Sequence, residues 1–246
     1  MHLGCYHDGT CMRRTHEIPN PMIREIFDKQ QVVDEAGNTH RLHSAIVLEY
    51  AQALYGAVLA HRPRVVVEIG MAYGISTLAI LTGLREIGTH GRLISIDPCQ
   101  TSVFKGIGVR NVRCSGMSDR HELIESFDYV ALPRLLERGE TIQFAYIDGW
   151  HTFDYCLLDF FYVDKLLEPG GVVGFNDAGW RSVYKVLGFV QTHRKYMEID
   201  VGLGKDYRRL NPVRILARQI TGRSHADRYF QKLESWEPRW DFFAPF

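Results

Sequence analysis

The sequence predicts an α/β protein built around a mostly parallel β-sheet. Short, continuously apolar runs rich in Val, Ile and Phe alternate with longer stretches of helical periodicity, and several of the runs end at glycine or aspartate. Continuous apolar strands alternating with helices are typical of a sheet that helices cover on both faces. Because right-handed crossovers place the carboxyl ends of such strands on one edge, we expect ligands to bind at that edge.

The hydrophobic pattern predicts the elements in order. Residues 1–43 read as irregular, and a helix over 45–60 follows with Ser44 as its cap. The predicted strands are 64–70, 92–98, 111–116, 143–149 and 172–177. The predicted helices are 75–86, 121–138, 153–167 and 180–195. Two further runs, 196–202 and 213–217, are expected to form a hairpin-like pair.

Composition argues against several classes of partner. The 246 residues include 29 Lys and Arg and 29 Asp and Glu, a balance that favours neither nucleic acid nor an anionic membrane. The first residues lack the apolar core of a signal peptide, and no apolar stretch is long enough to span a bilayer. The five cysteines are scattered and odd in number, which is typical of reduced thiols, so we expect a cytoplasmic protein. The segment holding Cys5, His7, Cys11 and His16 matches no zinc pattern, and we expect a loosely docked tail there.

A glycine-rich turn joins the first central strand to its helix. It contains Glu68, Gly70, Met71, Gly74 and Ser76 in the order Glu-x-Gly-Met-x-x-Gly-x-Ser. Gly70 and Gly74 allow a tight turn and the close approach of a ligand, and the following helix presents unpaired N–H groups. The spacing differs from the Gly-x-Gly-x-x-Gly that seats a dinucleotide pyrophosphate, so a nicotinamide-dependent oxidoreductase is disfavoured.

Acidic and small residues follow the next two predicted strands. Asp97 stands where an acid can accept both hydroxyls of a ribose, although a turn or cap role is the alternative because Pro98 follows. Gly116 and Ser118 belong to a small-residue turn after the third predicted strand, next to the place of a nucleoside base. Together these signals predict an adenosine pocket that does not require phosphates.

These motifs resemble those of the class I S-adenosylmethionine methyltransferases, from about residue 64 to 189. The turn after Gly116 is similar to the adenine-side turn of the catechol O-methyltransferase group. The resemblance implies a Rossmann-like fold with a seven-stranded, mostly parallel sheet and an antiparallel edge strand. It implies three segments, an extension with a covering helix over 1–60, the methyltransferase domain over 61–221 and an aromatic tail over 222–246. It implies S-adenosylmethionine as the cofactor, bound by Glu68, Gly70, Met71, Gly74, Ser76, Asp97, Gly116, Ser118 and Asp148.

Polar residues that suit the chemistry follow the fourth and fifth central strands. Asp148 and His151 follow one strand, and Asn176 with Asp177 closes the next. Asp148 and Asp177, with the Asn176 carbonyl, are oxygen ligands that suit Mg²⁺, and a metal there would lower the pKa of a substrate hydroxyl. His151 is the candidate general base. The alternatives are that Asp148 contacts the methionine end of the cofactor and that His151 caps a helix.

This second group of residues resembles the metal-dependent macrolide-sugar O-methyltransferases and the cephalosporin-biosynthesis methyltransferases. Those enzymes usually carry an acid where this chain has Asn176, and one charge fewer weakens Mg²⁺ binding. The resemblance implies O-methylation of a small hydroxylated acceptor, a sugar or a secondary-metabolite scaffold. The alternative from another class is a module that binds S-adenosylmethionine without turnover. The tail is too apolar to remain in water, so we expect it to dock on its own domain or, as we favour, in a homodimer contact; its rings are Trp236, Trp240, Phe242, Phe243 and Phe246.

Overall fold

The computed structural model describes residues 16–88, 90–206, 212–221 and 224–246. Its strands are β1 (Gln31–Val33), β2 (Thr39–Arg41), β3 (Val65–Ile69), β4 (Arg92–Ile96), β5 (His121–Ile124), β6 (Ile142–Ile147), β7 (Leu167–Phe175), β8 (Tyr196–Ile199) and β9 (Arg228–Lys232). Its α-helices are α1 (Pro21–Lys29), α2 (Leu48–His61), α3 (Ile75–Glu86), α4 (Ile107–Cys114), α5 (Asp128–Glu137), α6 (Phe153–Leu166), α7 (Arg181–His193) and α8 (Pro212–Thr221).

One seven-stranded sheet organises the molecule, in the order β5-β4-β3-β6-β7-β9-β8. The five strands from β5 to β7 are parallel, and β9 pairs antiparallel with both β7 and the edge strand β8. The predicted fold class, a Rossmann-like α/β fold with a mostly parallel sheet, is therefore confirmed. Strand order reverses between β3 and β6, and the crevice above that reversal is where open α/β sheets bind ligands.

Alternating side chains bury both faces of the sheet. Val66 and Phe144 point into a core that α2 and α3 cover, whereas Val67 and Ala145 point into a second core covered by α5, α6 and α7. This explains why the central strands are apolar without alternation. Among the described residues, no helix combines the length and apolar character that crossing a membrane requires.

The third parallel strand is not where the sequence predicts it. Residues 111–116, predicted as a strand, belong mostly to α4, and β5 forms within the stretch predicted as helix 121–138. Helix α4 buries residues at helical spacing, among them Ile107, Asn111 and Val112. The short apolar run 111–116, taken by itself, does not reveal this spacing. β5 lies at the sheet edge and its four residues are at most half-buried, so it lacks a strong apolar signal.

Two other predictions at the ends of the chain are wrong. Residues 213–217 belong to helix α8, which begins at Pro212, so the partner of β8 is β9. Residues 1–43 are not irregular throughout, because α1 and the β1–β2 hairpin lie within them. Asn20 caps α1 by accepting hydrogen bonds from the backbone N–H groups of Met22 and Ile23. Cys5, His7 and Cys11 lie outside the described residues.

Helix α2 begins later than predicted. Its N-cap is Val47, which offers no side-chain cap, and Ser44 instead adopts a left-handed conformation with φ of 47°. The predicted cap at Ser44 is therefore wrong. Ser44 and the three residues that follow it line the cavity described below.

The C-terminal segment contributes to the sheet and docks on its own chain. β9 lies within the range 222–246 that was set apart as a tail. Beyond β9, Phe246 packs against Phe189 and Phe242 against His193, both on α7, with ring centroids 5.6 and 5.4 Å apart. The segment thus docks in part on its own domain, whereas Trp240 and Phe243 remain 95% and 73% exposed, and the homodimer contact stays a prediction.

Candidate functional site

A cavity of about 1280 Å³ opens at the carboxyl edge of the sheet. The loops after β3, β4, β5, β6 and β7 form its floor, and the segment before α2 covers one side. Residues from the C-terminal third complete the wall, namely Asp206, Arg214 and His225. The position agrees with the edge at which the sequence predicts a ligand.

The loop after β3 adopts a backbone that requires glycine. Gly70 and Gly74 have φ of 89° and 81°, and Ala72 between them also has a positive φ, of 46°. A Cβ on Gly70 would lie 2.1 Å from the backbone oxygen of Asp148, so the loops after β3 and β6 touch at this point. Gly70, Met71 and Ser76 line the cavity, whereas Gly74 is the N-cap that starts α3.

The carboxylate of Asp97 holds the loop after β3 in place by hydrogen bonds. One carboxylate oxygen accepts hydrogen bonds from the N–H groups of Met71 and Ala72, at 3.0 and 2.7 Å, and from Gln100 at 3.1 Å. The other oxygen accepts from the N–H of Cys99 at 2.7 Å. The turn role that we weighed as the alternative is thus present in the structure. Asp97 also lines the cavity, so its second oxygen can still accept from a ligand hydroxyl.

Glu68 does not face the cavity. Its carboxyl is fully buried beneath the loop and accepts hydrogen bonds from Thr77 and Ser95 at 2.7 and 2.6 Å. Burial raises its pKa to about 7. Glu68 is thus not among the residues that line the cavity, and its contact with the cofactor stays a prediction; in the structure the residue holds the first turn of α3 against β4.

The predicted adenine-side turn lies away from the cavity. Gly116 and Ser118 precede β5, whereas the cavity lies beyond the carboxyl ends of the strands. Neither residue lines the cavity, and the predicted strand on which their assignment as cofactor contacts rested is misplaced. Phe127 and Asp128, which follow β5, line the cavity in their place. The sequence offered no signal for them once β5 had been read as helix.

His151 lies between two carboxylates at the other end of the cavity. Its Nε2 is 3.7 Å from Asp148 Oδ1 and 3.9 Å from Asp177 Oδ2. Among the described residues this nitrogen is buried and has no hydrogen-bond partner. Burial lowers the pKa of His151, and the nearby Asp177 and Asn176 oppose that shift. The imidazole is therefore neutral at neutral pH and able to accept a proton.

Burial and neighbouring carboxyls raise the pKa of Asp148. Burial raises it well above its ordinary value, with further contributions from Asp227, Asp177 and Glu68. A carboxyl whose pKa is raised by its neighbours favours a positively charged ligand, which would stabilise its ionised form.

Asp227 is a buried member of this site that sequence reasoning missed. It accepts a hydrogen bond from the Tyr146 hydroxyl at 2.6 Å and one from Asn176 Nδ2 at 3.0 Å. Burial raises its pKa to about 8. Asp227 immediately precedes β9, in the range read as a separate tail, so no motif pointed to it. Its contact fixes which way the Asn176 amide faces.

The predicted Mg²⁺ site stays a prediction. Asp148, Asn176 and Asp177 all line the cavity. Within the described part of the chain, no group of three or more His, Cys, Asp and Glu side chains is arranged to hold a metal ion. The Nδ2 of Asn176, and not the carbonyl oxygen that would bind a metal, donates to Asp227, and His151 lies between the two carboxylates of Asp148 and Asp177.

Comparison with known proteins agrees with the fold. The sequence profile of a family described as a methyltransferase domain matches residues 67–178. This range runs from the strand before the glycine loop to the residues after β7, and it includes Asp97, Asp148, His151 and Asp177. No curated protein matches the chain.

Several solved structures share the fold. An O-methyltransferase from Bacillus cereus in complex with SAH (S-adenosylhomocysteine) has a TM-score of 0.65 at 15% identity, covering 86% of this chain and 90% of that one. The O-methyltransferase TomG from Streptomyces achromogenes, in complex with SAM (S-adenosylmethionine), has 0.61 at 16% identity, covering 77% and 82%. The SAH-bound Podospora anserina methyltransferase PaMTH1 has 0.64 at 14% identity, covering 91% and 92%.

Proposed function

We propose that this chain, a class I methyltransferase by its sequence match and its fold, transfers the methyl group of S-adenosylmethionine to a hydroxyl of a small molecule. The observation that carries this proposal is that one cavity is lined both by the glycine loop and by His151, whose buried Nε2 has no hydrogen-bond partner among the described residues. The structural relatives whose names describe O-methyltransferases bound to SAM or SAH support the choice of reaction.

The loops after β3, β4 and β5 would hold the cofactor. The N–H groups and small residues of the loop after β3, at Gly70, Met71 and Ser76, would hold its methionine and ribose part, because no Cβ obstructs the approach. Asp97 would accept a ribose hydroxyl with the oxygen that binds Cys99. Phe127 and Asp128 stand where the adenine ring would lie. S-adenosylmethionine supplies a methyl group made electrophilic by the attached sulfonium.

The carboxyl cluster suits the charge of this cofactor. Asp148 and Asp177 lie at the end of the cavity that holds His151. The amino group and the sulfonium of S-adenosylmethionine are both cationic, so their approach would stabilise the ionised carboxylates. Asp148 in particular would contact the methionine end.

His151 would act as the general base. Its unpartnered Nε2 would accept the proton of the acceptor hydroxyl as that oxygen attacks the methyl group. Holding the oxygen in line with the methyl group supplies much of the rate enhancement, and the walls beside His151 would provide that orientation.

Mg²⁺ remains a prediction of the sequence without a fitting set of ligands among the described residues. We therefore derive no step through it. Methyl transfer that is unchanged by EDTA would exclude a requirement for Mg²⁺. Methyl transfer that EDTA abolishes and added Mg²⁺ restores would establish that requirement.

Replacing His151 by Asn tests the assignment of the base. The variant should keep the affinity for S-adenosylhomocysteine within about twofold, since it leaves the glycine loop unchanged. It should lose 10²- to 10⁴-fold in methyl transfer, a range that general-base removal gives. Radiolabelled methyl transfer and calorimetric titration measure the two effects. Unchanged transfer would exclude His151 as the base, and binding without any transfer by the wild type would favour a cofactor-binding module.

A further inference from the structure

Exposed aromatic side chains surround the mouth of the cavity beside His151. Trp150 and Trp180 are 66% and 49% exposed, and Phe127 is 49% exposed. With Tyr155 these three residues line the cavity. We call Phe127, Trp150, Tyr155 and Trp180 the aromatic rim. Large aromatic side chains in water are unfavourable unless a ligand covers them, so their clustering at a cavity indicates a binding surface.

The aromatic rim comes from three separate loops that meet at this point. Phe127 follows β5, Trp150 and Tyr155 follow β6, and Trp180 follows β7. The ring centroids of Trp150 and Tyr155 are 6.3 Å apart, and Trp180 lies 5.3 Å from the ring of His151 at an interplanar angle of 34°. The indole of Trp180 therefore lies beside the candidate base, and Trp150, which directly precedes His151 in the chain, lines the same cavity.

Resting on the proposed function, we infer that the methyl acceptor is a planar aromatic compound carrying a phenolic hydroxyl, held by its ring against Trp150 and Trp180. Flat rings match indole faces in offset or edge-to-face packing, with attraction beyond that of area burial. A docked protein is the less favoured occupant, because the rings line a concave cavity rather than a flat surface.

The chemistry of the base agrees with a phenol. A phenolic hydroxyl has an ordinary pKa near 10, within reach of a neutral imidazole in a concerted step, whereas an alkyl hydroxyl is a far weaker acid. In this step the O–H proton passes to His151 and the oxygen bonds to the methyl carbon. The C–S bond breaks, its electron pair stays on sulfur, and the products are an aryl methyl ether and S-adenosylhomocysteine. The imidazolium then returns its proton to water.

A matched pair of acceptors tests the inference. Catechol and its saturated counterpart 1,2-cyclohexanediol carry the same two neighbouring hydroxyls, but only catechol has a flat ring and phenolic protons. With full-length protein and S-adenosylmethionine, a panel of catechols and simple phenols should yield methyl ethers by mass spectrometry. Cyclohexanediol and methyl glycosides should yield at least 100-fold less.

Variants of the rim test the location. Trp150→Ala and Trp180→Ala should each raise KM for the aromatic acceptor roughly five- to tenfold, the loss expected for one aromatic pair. Their affinity for S-adenosylhomocysteine should stay within twofold. Trp240→Ala is the control, because Trp240 is 95% exposed and lies outside the cavity; it should leave both constants unchanged.

The outcomes separate this inference from the proposed function. Folded protein that binds neither S-adenosylmethionine nor S-adenosylhomocysteine contradicts the proposed function. Three results would overturn the aromatic acceptor alone, provided that the protein binds the cofactor. They are methylation of glycosides in preference to phenols, no methylation of any aromatic compound in the panel, and rim variants that behave like Trp240→Ala.

Discussion

Gly70 connects the two halves of the site at the scale of a single residue. Its φ of 89° belongs to the left-handed region, and its missing Cβ leaves room for the backbone oxygen of Asp148. The loop proposed to hold the cofactor and the loop proposed to perform the chemistry thus meet at this contact. The importance of Gly70 could be predicted from the sequence, because a glycine directly after a buried strand is typical of a tight turn that a ligand approaches closely.

Gly70→Ala and Gly116→Ala form a matched pair. Both residues have positive φ, but a Cβ on Gly116 would meet nothing within 4 Å. Gly116→Ala should lower the free energy of unfolding by about 1–2 kcal/mol through backbone strain and leave ligand affinity unchanged. Gly70→Ala should also push the loops apart and weaken S-adenosylhomocysteine binding at least tenfold. Urea unfolding and calorimetric titration measure the two quantities. Equal effects of the two variants on affinity would contradict the site geometry.

Single residues also mark the limit of prediction from the sequence. Four residues that the sequence predicted lie at the cavity, namely Asp97, Asp148, His151 and Asp177. They could be predicted because each follows an apolar strand whose end is visible in the sequence. Asp227 could not be found in this way. Its role depends on β9 pairing with a strand more than fifty positions earlier, and no local pattern reveals that contact.

At the scale of elements, the strands that were predicted wrongly share one property, a weak local signal in the sequence. The central strands β3, β4, β6 and β7 are buried on both faces and were predicted within a few residues, although the structure starts β7 earlier, at Leu167. β5 lies at an edge, and β9 enters the sheet from the far end of the chain. Edge strands are only partly buried and distant strands are fixed by tertiary packing, so neither carries a strong local signal.

His121 on β5 makes the free energy of unfolding depend on pH. Burial lowers its pKa to about 4, and its Nε2 contacts the Ser95 hydroxyl at 3.0 Å. Between pH 6.5 and 4 the unfolded chain therefore binds a proton that the folded chain does not. The stability present above pH 6.5 is lost as the pH falls through this range, by at most roughly 3 kcal/mol.

The variant His121→Gln isolates this contribution. Its free energy of unfolding should fall less than that of the wild type between pH 7 and pH 4, measured by urea unfolding at several pH values. The contribution of Glu68 to the free energy of unfolding depends on pH in the opposite direction. Its raised pKa favours the folded state at low pH, and that stability is lost as the pH rises through about 7. Comparing variant with wild type cancels the Glu68 contribution. Identical pH profiles for the two proteins would refute the role of His121.

At the scale of the whole molecule, the C-terminal segment is part of the fold rather than an appendage. β9 separates β7 from β8, and it follows Asp227, which reaches into the site. The rings beyond β9 then cover α7. The matched domain ends at residue 178, so the chain completes its sheet and its site with residues outside that range.

Two truncations test this organisation. Removing residues 235–246 deletes the rings over α7 and the ion pairs of Glu237 with Lys165 and Arg194. The remaining protein should fold with lower stability and keep its affinity for S-adenosylhomocysteine. Removing residues 225–246 also deletes Asp227 and β9, which leaves β7 and β8 without their shared neighbour. That chain should show no cooperative unfolding transition by circular dichroism. A cooperative transition and ligand binding in the shorter chain would show that the segment is dispensable.

The central claim is that the cavity at the carboxyl edge binds S-adenosylmethionine. Calorimetric titration of the folded full-length protein with S-adenosylmethionine and S-adenosylhomocysteine tests it most directly, because it requires no knowledge of the acceptor. We predict saturable binding of both ligands at one site per chain. Absence of heat with both ligands, from protein that unfolds cooperatively, would contradict the account.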